Sequence, residues 1–248
     1  MQLGQLQRLY FAQFDAQSIA VTNPSSPQPS VPIQAFIFDV GDILYDASVW
    51  RKWLTTELQR FGKDITYPQL VENWERLLVD VYKGNAEYWA KFSELMMHFG
   101  VTSEESAAIE KLAREKGQAV QVDRVPMPGV PETLSALREN DITLVALSDT
   151  ESGEAGVRKT LNQLEIEKYF DAVVSSFAIG HVKPEPEAFD YAIKATGKSK
   201  SACAFVAHDI DELEGAQKHD LLAVGYNYHP DAPADFFIED FRQLLELV

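Results

Sequence analysis

Apolar and polar positions follow two different patterns along this chain. Residues 33–38 form a short apolar run of strand-forming side chains, which predicts a buried strand. Residues 47–121 instead carry apolar side chains at the spacing of amphipathic helices, interrupted by Gly62, Gly84 and Gly100. The pattern therefore predicts a block of about four helices inserted directly after the first strand.

From residue 126 onward, helices and strands are predicted to alternate. The predicted helices are 130–139, 154–164, 185–196 and 211–219. The predicted strands are 142–147, 172–175, 203–207 and 221–226, with a possible last strand at 236–238. Alternation of this kind builds a parallel sheet that is covered by helices on both faces. The predicted fold class is therefore α/β, a Rossmann-like parallel sheet core with an inserted helical domain.

Three regions follow from these patterns. Residues 1–32 form an N-terminal extension, which ends in an extended linker because positions 22–32 hold four prolines and three serines. The α/β core is predicted to comprise 33–46 and 122–248, and the helical domain to comprise 47–121.

The composition narrows the range of partners. The formal charge is −16, from 38 acidic and 22 basic residues, and such a surface disfavours nucleic acid and anionic membranes. A buried lysine can still attract a small anionic substrate locally. The single cysteine, Cys203, excludes an intramolecular disulfide, which fits a reducing cytosol. Because no apolar run approaches the ~18 residues of a membrane span, we expect a cytoplasmic protein.

Candidate chemistry lies where the predicted strands end. Ligands of open parallel sheets bind beyond the carboxyl ends of the strands. The polar residues that follow those ends are Asp39, Asp42, Ser148, Asp149, Thr150, Ser175, Ser176, Lys183, His208, Asp209, Asp211 and Glu212. Carboxylates, a hydroxyl and one lysine suit attack by a carboxylate on an electrophile whose negative charge the other groups hold.

Four segments at these strand ends occur in a characteristic order. They read FDVGDIL at 38–44, LSD at 147–149, GHVKPEPEAF at 180–189 and, less perfectly, FVAHDIDELEGA at 205–216. In this order they resemble the four motifs of the haloacid dehalogenase-like hydrolase superfamily. The helical block at 47–121 resembles the type-one cap of that superfamily.

The resemblance implies a role for three residues. Asp39 would be the covalent nucleophile and would attack either phosphorus or carbon. Ser148 would donate a hydrogen bond to a transferred phosphoryl oxygen. Lys183 would orient Asp39 and neutralise charge. The expected partner is a small anionic substrate, in the first place a phosphate ester.

The first motif departs from the pattern of phosphatases in this superfamily. They usually carry an aspartate two residues after the nucleophile as general acid and base, and here that position is Gly41. A general acid contributes about 10²–10⁴-fold to a rate. Asp42 follows one residue later and is expected to point elsewhere, so Gly41 favours good leaving groups or another proton source.

The fourth motif departs as well. The superfamily pattern places a magnesium-binding aspartate here, with a second acid four or five residues later. A gap-free alignment puts His208 and Glu212 at those positions, whereas a shift by one residue puts Asp209 at the first. Magnesium prefers oxygen ligands, which favours Asp209. The expected cofactor is Mg²⁺, bound by Asp39, the backbone carbonyl of Gly41 and Asp209.

Three functions remain compatible with these residues. The first is a phosphatase that forms an aspartyl-phosphate on Asp39, with the cap closing over the crevice. The second is a metal-independent 2-haloacid dehalogenase. Gly41 is tolerable there because halide leaves without a proton, and the altered fourth motif is tolerable because the chemistry needs no magnesium. The third is a binding module that keeps the fold with a decayed site.

Overall fold

The computed structural model describes residues 31–229 and 231–248. The predicted N-terminal extension and linker therefore lie almost wholly outside the described residues. Within the described part of the chain, no helix combines the length and the hydrophobicity that crossing a membrane requires.

Six parallel strands form one sheet, as the alternating pattern predicts. The strands are β1 (Ala35–Phe38), β2 (Thr143–Ser148), β3 (Ala172–Ser175), β4 (Cys203–Ala207), β5 (Leu222–Tyr226) and β6 (Phe236–Ile238). Their order is β3-β2-β1-β4-β5-β6. β1 lies between β2 and β4, and Phe38 pairs in register with Ala146 and Val206. The first strand therefore delivers the residue after it to the middle of the sheet edge.

Helices cover both faces of this sheet. The helices of the first part of the chain are α1 (Ser48–Arg60), α2 (Tyr67–Tyr82), α3 (Tyr88–His98) and α4 (Ser103–Val122). Those that alternate with strands are α5 (Val130–Glu139), α6 (Glu154–Gln163), α7 (Ser176–Ile179), α8 (Pro186–Thr196) and α9 (Ile210–Lys218). Short 3₁₀ segments occupy Glu167–Tyr169, Lys200–Ala202 and Phe241–Leu247. The predicted fold class is confirmed, while the short helix α7 was not expected from the sequence.

Alternate residues of β1 enter two separate apolar cores. Phe36 and Phe38 pack on one face, in a cluster with Phe241, while Ile37 packs on the other with Phe205. Both faces of a parallel strand are buried in this way, which explains why its sequence is continuously apolar rather than alternating.

Helices α1 to α4, called the cap below, have a core of their own. Leu54, Leu70, Leu78 and Phe92 are fully buried together, and Trp74 packs among them. α2 and α4 both begin with a capping box, in which Thr66 and Thr102 accept a hydrogen bond from the third helical residue. The start of α4 is therefore capped by Thr102, the residue directly before the helix.

The two linkers between the cap and the sheet lie side by side. Tyr45 forms a β-bridge with Pro126, and the backbone N–H of Met127 donates to the carbonyl of Leu44 at 2.8 Å. The Arg124 guanidinium lies 4.3 Å from the centre of the Tyr45 ring. The cap is thus attached through one paired joint, which directly follows the residues at the end of β1.

Candidate active site

Asp39 and Lys183 form a buried ion pair at the carboxyl edge of the sheet. Lys183 Nζ lies 2.6 Å from Asp39 Oδ1, and the two side chains are only 1% and 10% exposed. Asp39 directly follows β1, whereas Lys183 comes from the loop between α7 and α8. The two residues lie 144 positions apart, so only the tertiary fold brings them together.

Gly215 of α9 explains how this lysine loop is held close to the sheet. A Cβ atom at position 215 would lie 2.5 Å from Cβ of Pro184, the residue after Lys183. Glycine therefore permits a close approach that any other residue would obstruct. This contact links the third and fourth motif-like segments physically.

Two further carboxylates surround the lysine. Glu212 Oε1 lies 3.2 Å and Asp149 Oδ2 lies 3.8 Å from Lys183 Nζ. The backbone N–H of Lys183 also donates to Asp149 Oδ2 at 3.1 Å. Three carboxyl groups therefore face one ammonium group.

The pKa values of these groups follow from burial and from one another. Burial alone would lower the pKa of Lys183, but the carboxylates of Asp149, Asp39 and Glu212 outweigh it and raise that pKa well above its ordinary value. Burial raises the pKa of Asp149 to about 6, against the lowering effect of Lys183. Burial likewise raises the pKa of Glu212. Lys183 is thus held in its charged form, and the three neighbouring carboxyl groups share its single positive charge.

Ser148 is the last residue of β2, which neighbours β1, and its side chain is buried. It therefore lies at the same edge of the sheet as Asp39. Gly41 lies two residues after Asp39, and a Cβ atom added there would lie 3.3 Å from Cβ of Ala47. The loop after β1 is packed tightly enough that a larger residue at 41 needs an adjustment.

Asp42 does not stand in for the missing acid at Gly41. Its Oδ1 accepts a hydrogen bond from the backbone N–H of Ala47 at 2.8 Å, and its Oδ2 pairs with Arg51 Nη2 at 2.7 Å. Asp42 also has a positive φ of 57°, which turns the chain toward the cap. The Asp42 side chain therefore stabilises the connection between the sheet and the cap. This agrees with the expectation that Asp42 points away from the position of the usual acid.

His208 and Asp209, the two candidates of the fourth segment, have different contacts. His208 Nε2 lies 3.9 Å from Asp39 Oδ2, so His208 faces the carboxylate of Asp39. Asp209, which the sequence analysis favoured for its oxygen ligands, is the N-cap residue of α9, and its Oδ1 accepts from the backbone N–H of Asp211 at 2.9 Å. The Asp209 carboxylate is therefore used to cap the start of the helix. The assignment of Asp209 as a metal ligand stays a prediction.

The cap supplies polar groups opposite this edge. Burial, and next the carboxylate of Asp209, raises the pKa of Glu75 on α2 to about 7, although part of that side chain is open to solvent. Arg51 Nε is buried without a hydrogen-bond partner among the described residues. The cap therefore faces the crevice with an acid and a guanidinium whose hydrogen bonding is incomplete.

Another group of potential ligands lies nearby at the surface. Single ligand atoms of His181, Glu185 and Glu187 lie within 4.8 Å of one another. Glu185 is also paired with Lys83, the residue that ends α2 in the cap. One of the two carboxylates of this group is therefore already paired through a contact between cap and core.

A model of the haloacid dehalogenase-like hydrolase family matches residues 33–220. Because this match covers most of the chain, the protein belongs to the haloacid dehalogenase-like hydrolases. The resemblance of the four segments is thereby confirmed at the level of the family.

Two relatives indicate chemistry within that family. A phosphoglycolate phosphatase of Pseudomonas fluorescens (strain Pf0-1) is 27% identical over 128 residues, 49% of this chain and 46% of the relative. The pyrophosphatase PpaX of Halalkalibacterium halodurans is 27% identical over 130 residues, 50% of this chain and 60% of the relative. The chain spans about half the length of the curated relatives it matches.

Solved structures share the whole architecture. The L-2-haloacid dehalogenase of Xanthobacter autotrophicus superimposes with a TM-score of 0.64 at 18% identity, covering 87% of this chain and 98% of that one. A β-phosphoglucomutase of Clostridium difficile gives a TM-score of 0.61 at 18% identity, covering 86% and 93%. At these identities the likeness shows the fold alone.

Proposed function

We propose that this protein is a phosphatase of small phosphorylated metabolites, acting through an aspartyl-phosphate on Asp39. The observation that carries the proposal is the buried pair of Lys183 Nζ and Asp39 Oδ1, 2.6 Å apart. The ammonium holds one carboxylate oxygen and so fixes the orientation of the side chain, a condition that a carboxylate nucleophile requires. The phosphatase and pyrophosphatase relatives support phosphorus as the atom attacked.

The reaction proceeds in two displacements. In the first, an oxygen of Asp39 forms a bond to phosphorus while the bond between phosphorus and the leaving oxygen breaks. The leaving oxygen takes its proton from water or from the substrate, because Gly41 has no acidic side chain. In the second, water attacks phosphorus, loses a proton to solvent, and the bond to Asp39 breaks to release phosphate.

Lys183 and Ser148 would hold the transferred group. The Lys183 ammonium offsets negative charge that builds up on the phosphoryl oxygens, and the Ser148 hydroxyl donates a hydrogen bond to one of them. Groups that are already oriented in this way stabilise the transition state without reorganisation. The cap lies over the same edge and would exclude water from it.

A divalent cation fits the charge of this site. Three carboxylates face one lysine, and Glu212 Oε2 is buried without a hydrogen-bond partner in the described part of the chain. For Mg²⁺ we expect oxygen ligands from Asp39 and the backbone carbonyl of Gly41; Asp209 fits less well because it caps α9. A bound cation would neutralise phosphoryl oxygens.

A dehalogenase is the second candidate, and Gly41 favours it. Halide leaves without a proton, so the chemistry needs no acid two residues after the nucleophile. Asp39 would then attack carbon, and water would hydrolyse the resulting ester. Release of halide from a 2-haloacid in the presence of a chelator would support this reading over the phosphatase.

We further propose that the protein works in the cytoplasm on its small anionic substrate, without nucleic acid or membrane as a partner. The net charge of −16 supports the second part. The one cysteine, Cys203, is free and buried in β4, which fits a reducing compartment.

The test is hydrolysis of a panel of phosphate esters, including phosphoglycolate, pyrophosphate, sugar 1-phosphates and an aryl phosphate. Each is assayed with divalent cation and with chelator, in the natural protein and in Asp39→Asn. Asp64→Asn, an exposed aspartate in the loop before α2, is the matched control. We expect turnover that Asp39→Asn abolishes and Asp64→Asn retains. Turnover that survives in Asp39→Asn would refute the proposal.

A further inference from the structure

His208 is placed to bind a metal ion together with Asp39. Lys183 holds Asp39 Oδ1, so Oδ2 is the oxygen that remains available, and His208 Nε2 lies 3.9 Å from it. The His208 side chain is 31% exposed, which lets an ion reach it from the crevice. The backbone carbonyl of His208 also accepts from the N–H of His229 at 3.3 Å, which fixes the turn after β4.

Asp209 is committed to a different task. Its Oδ1 accepts from the backbone N–H of Asp211 and so caps α9. Moving this carboxylate to face Asp39 would remove the cap, and such caps contribute roughly 0.5–2 kcal/mol. His208 needs no comparable change, because its imidazole already faces the nucleophile.

Three carboxyl groups in these surroundings share one buried cation. Lys183 serves Asp39, Asp149 and Glu212 at once, at 2.6, 3.8 and 3.2 Å. Glu212 Oε2, on the first turn of α9, is buried and has no hydrogen-bond partner among the residues that the structure describes. An unpartnered buried carboxylate oxygen is costly unless a cation or a donor reaches it. The unpartnered oxygen of Glu212 therefore independently supports cation binding at this site.

We propose that His208 Nε2, rather than Asp209, supplies the third protein ligand of a divalent cation shared with Asp39 and the carbonyl of Gly41. Imidazole suits cations such as Zn²⁺ and Co²⁺, whereas Mg²⁺ prefers oxygen. The site is therefore shifted away from Mg²⁺ and toward cations that accept nitrogen. This inference deepens the proposed function, because the cation shares Asp39 with the transferred group.

The spacing of the two donors is compatible with one ion. Nitrogen and oxygen ligands of zinc lie about 2.0–2.2 Å from the metal, which places two of them roughly 3.4 Å apart in a tetrahedral site. The observed separation is 3.9 Å, so a small side-chain rotation closes the gap.

The test measures cation binding without any substrate. Full-length protein freed of metal by a chelator is titrated with Co²⁺ and with Mg²⁺, by calorimetry and by the visible absorption of bound Co²⁺. The proton spectrum of the Co²⁺ form is searched for a hyperfine-shifted imidazole N–H. The variants are His208→Ala, His208→Asp and Asp209→Asn. His181→Ala is the matched control, since it removes the imidazole of the other ligand group.

We expect His208→Ala to weaken Co²⁺ binding by at least about tenfold, since even the loss of a residue that only hydrogen-bonds a metal ligand costs about 10–100-fold. The shifted imidazole resonance should disappear with it. His208→Asp should raise the affinity for Mg²⁺ relative to Co²⁺, which also guards against a variant that merely misfolds. Asp209→Asn and His181→Ala should bind Co²⁺ as the natural protein does.

The proposal is overturned if Asp209→Asn loses Co²⁺ while His208→Ala keeps it, or if the signal follows His181. It is also overturned if the protein binds neither cation. Neither result tests the proposed phosphatase activity. That activity would stand without the cation if the protein turns over phosphate esters in the presence of chelator and Asp39→Asn abolishes the turnover.

Discussion

The two oxygens of Asp39 lie in contrasting surroundings. On the lysine side, Oδ1 contacts Lys183, a fully buried cation with further carboxylate and carbonyl partners. On the histidine side, Oδ2 faces His208 across 3.9 Å, in an open crevice near a Glu212 oxygen that has no partner in the described structure. Oδ1 is therefore paired within the protein, whereas Oδ2 is the oxygen that can bind a cation or attack a substrate. The fold alone thus orients the Asp39 carboxylate through Lys183, while a bound cation and substrate would complete the contacts of the second oxygen.

The largest effect is expected on the lysine side, from Lys183→Met. Removing one partner of a buried ion pair costs about 3–5 kcal/mol of unfolding free energy, because the remaining carboxylates stay buried. Turnover of the best phosphate ester should fall by about 10²–10³-fold, as for other preorganised charge-stabilising groups. Denaturant unfolding and steady-state kinetics measure the two losses.

Lys111→Met provides the comparison, since Lys111 is exposed on α4 of the cap. It should change neither quantity appreciably. If Lys183→Met unfolds at the same denaturant concentration as the natural protein, Lys183 is not the centre of the charge balance described above.

A pH dependence distinguishes the buried acid beside the lysine. The pKa of Asp149 rises from 3.8 to about 6 on folding, chiefly through burial. Between those values the folded state binds more protons than the unfolded state, so stability falls as pH rises through this window. At about 1.4 kcal/mol per pKa unit, the contribution is at most on the order of 3 kcal/mol and is shared with Glu212.

Asp149→Asn should flatten this decline. Calorimetric melting temperatures at intervals between pH 4 and pH 6.5, with chelator present, make the comparison. The pKa values of Glu105, Glu185 and Asp240 are lowered by folding, so their contribution to stability changes with pH in the opposite direction. An unchanged slope in Asp149→Asn would show that its carboxyl group does not titrate in the buried site as described.

Gly215→Ala tests the packing that holds the lysine loop. The added methyl group would lie 2.5 Å from Cβ of Pro184, and such overpacking costs about 1–3 kcal/mol. Gly153→Ala is the control, because Gly153 has a negative φ and open space at its Cβ position. Equal unfolding free energies for the two variants would contradict the close contact between α9 and the lysine loop.

The smallest effect is expected on the histidine side, from Asp209→Ala. Loss of the N-cap should lower the unfolding free energy by about 0.5–2 kcal/mol, whereas Asp209→Asn should keep most of it. Co²⁺ affinity should be the same in both variants and in the natural protein. A parallel loss of stability and Co²⁺ affinity in Asp209→Asn would return Asp209 to the metal site.

Much of the lysine side could be predicted from the sequence, because its residues occupy positions with a strong local pattern. Asp39 directly follows a continuous apolar strand, and Lys183 stands directly before Pro184 in a motif-like segment, so the family resemblance singled out both before any distance was known. The fold class followed from alternating periodicity for the same reason. Each of these inferences needed only a pattern of neighbours along the chain.

The histidine side could not be predicted in the same way. Whether His208 or Asp209 faces Asp39 depends on the residue at which α9 begins, and Asp209 and Asp211 are both acceptable at a helix start. The partners of Lys183, 34 residues from Asp149 and 29 from Glu212, depend on tertiary packing. Helix α7 was missed because four residues carry too little periodicity to register.

The central claim is that Asp39 is phosphorylated during turnover, and mass spectrometry tests it most directly. The protein is mixed with acetyl phosphate or with the best ester of the panel, quenched with acid during turnover, and digested. The account predicts a phosphoryl group on the peptide that contains Asp39, absent from Asp39→Asn and present in Asp64→Asn. Phosphate release with no phosphoryl group on Asp39, at a rate that Asp39→Asn leaves unchanged, would contradict it.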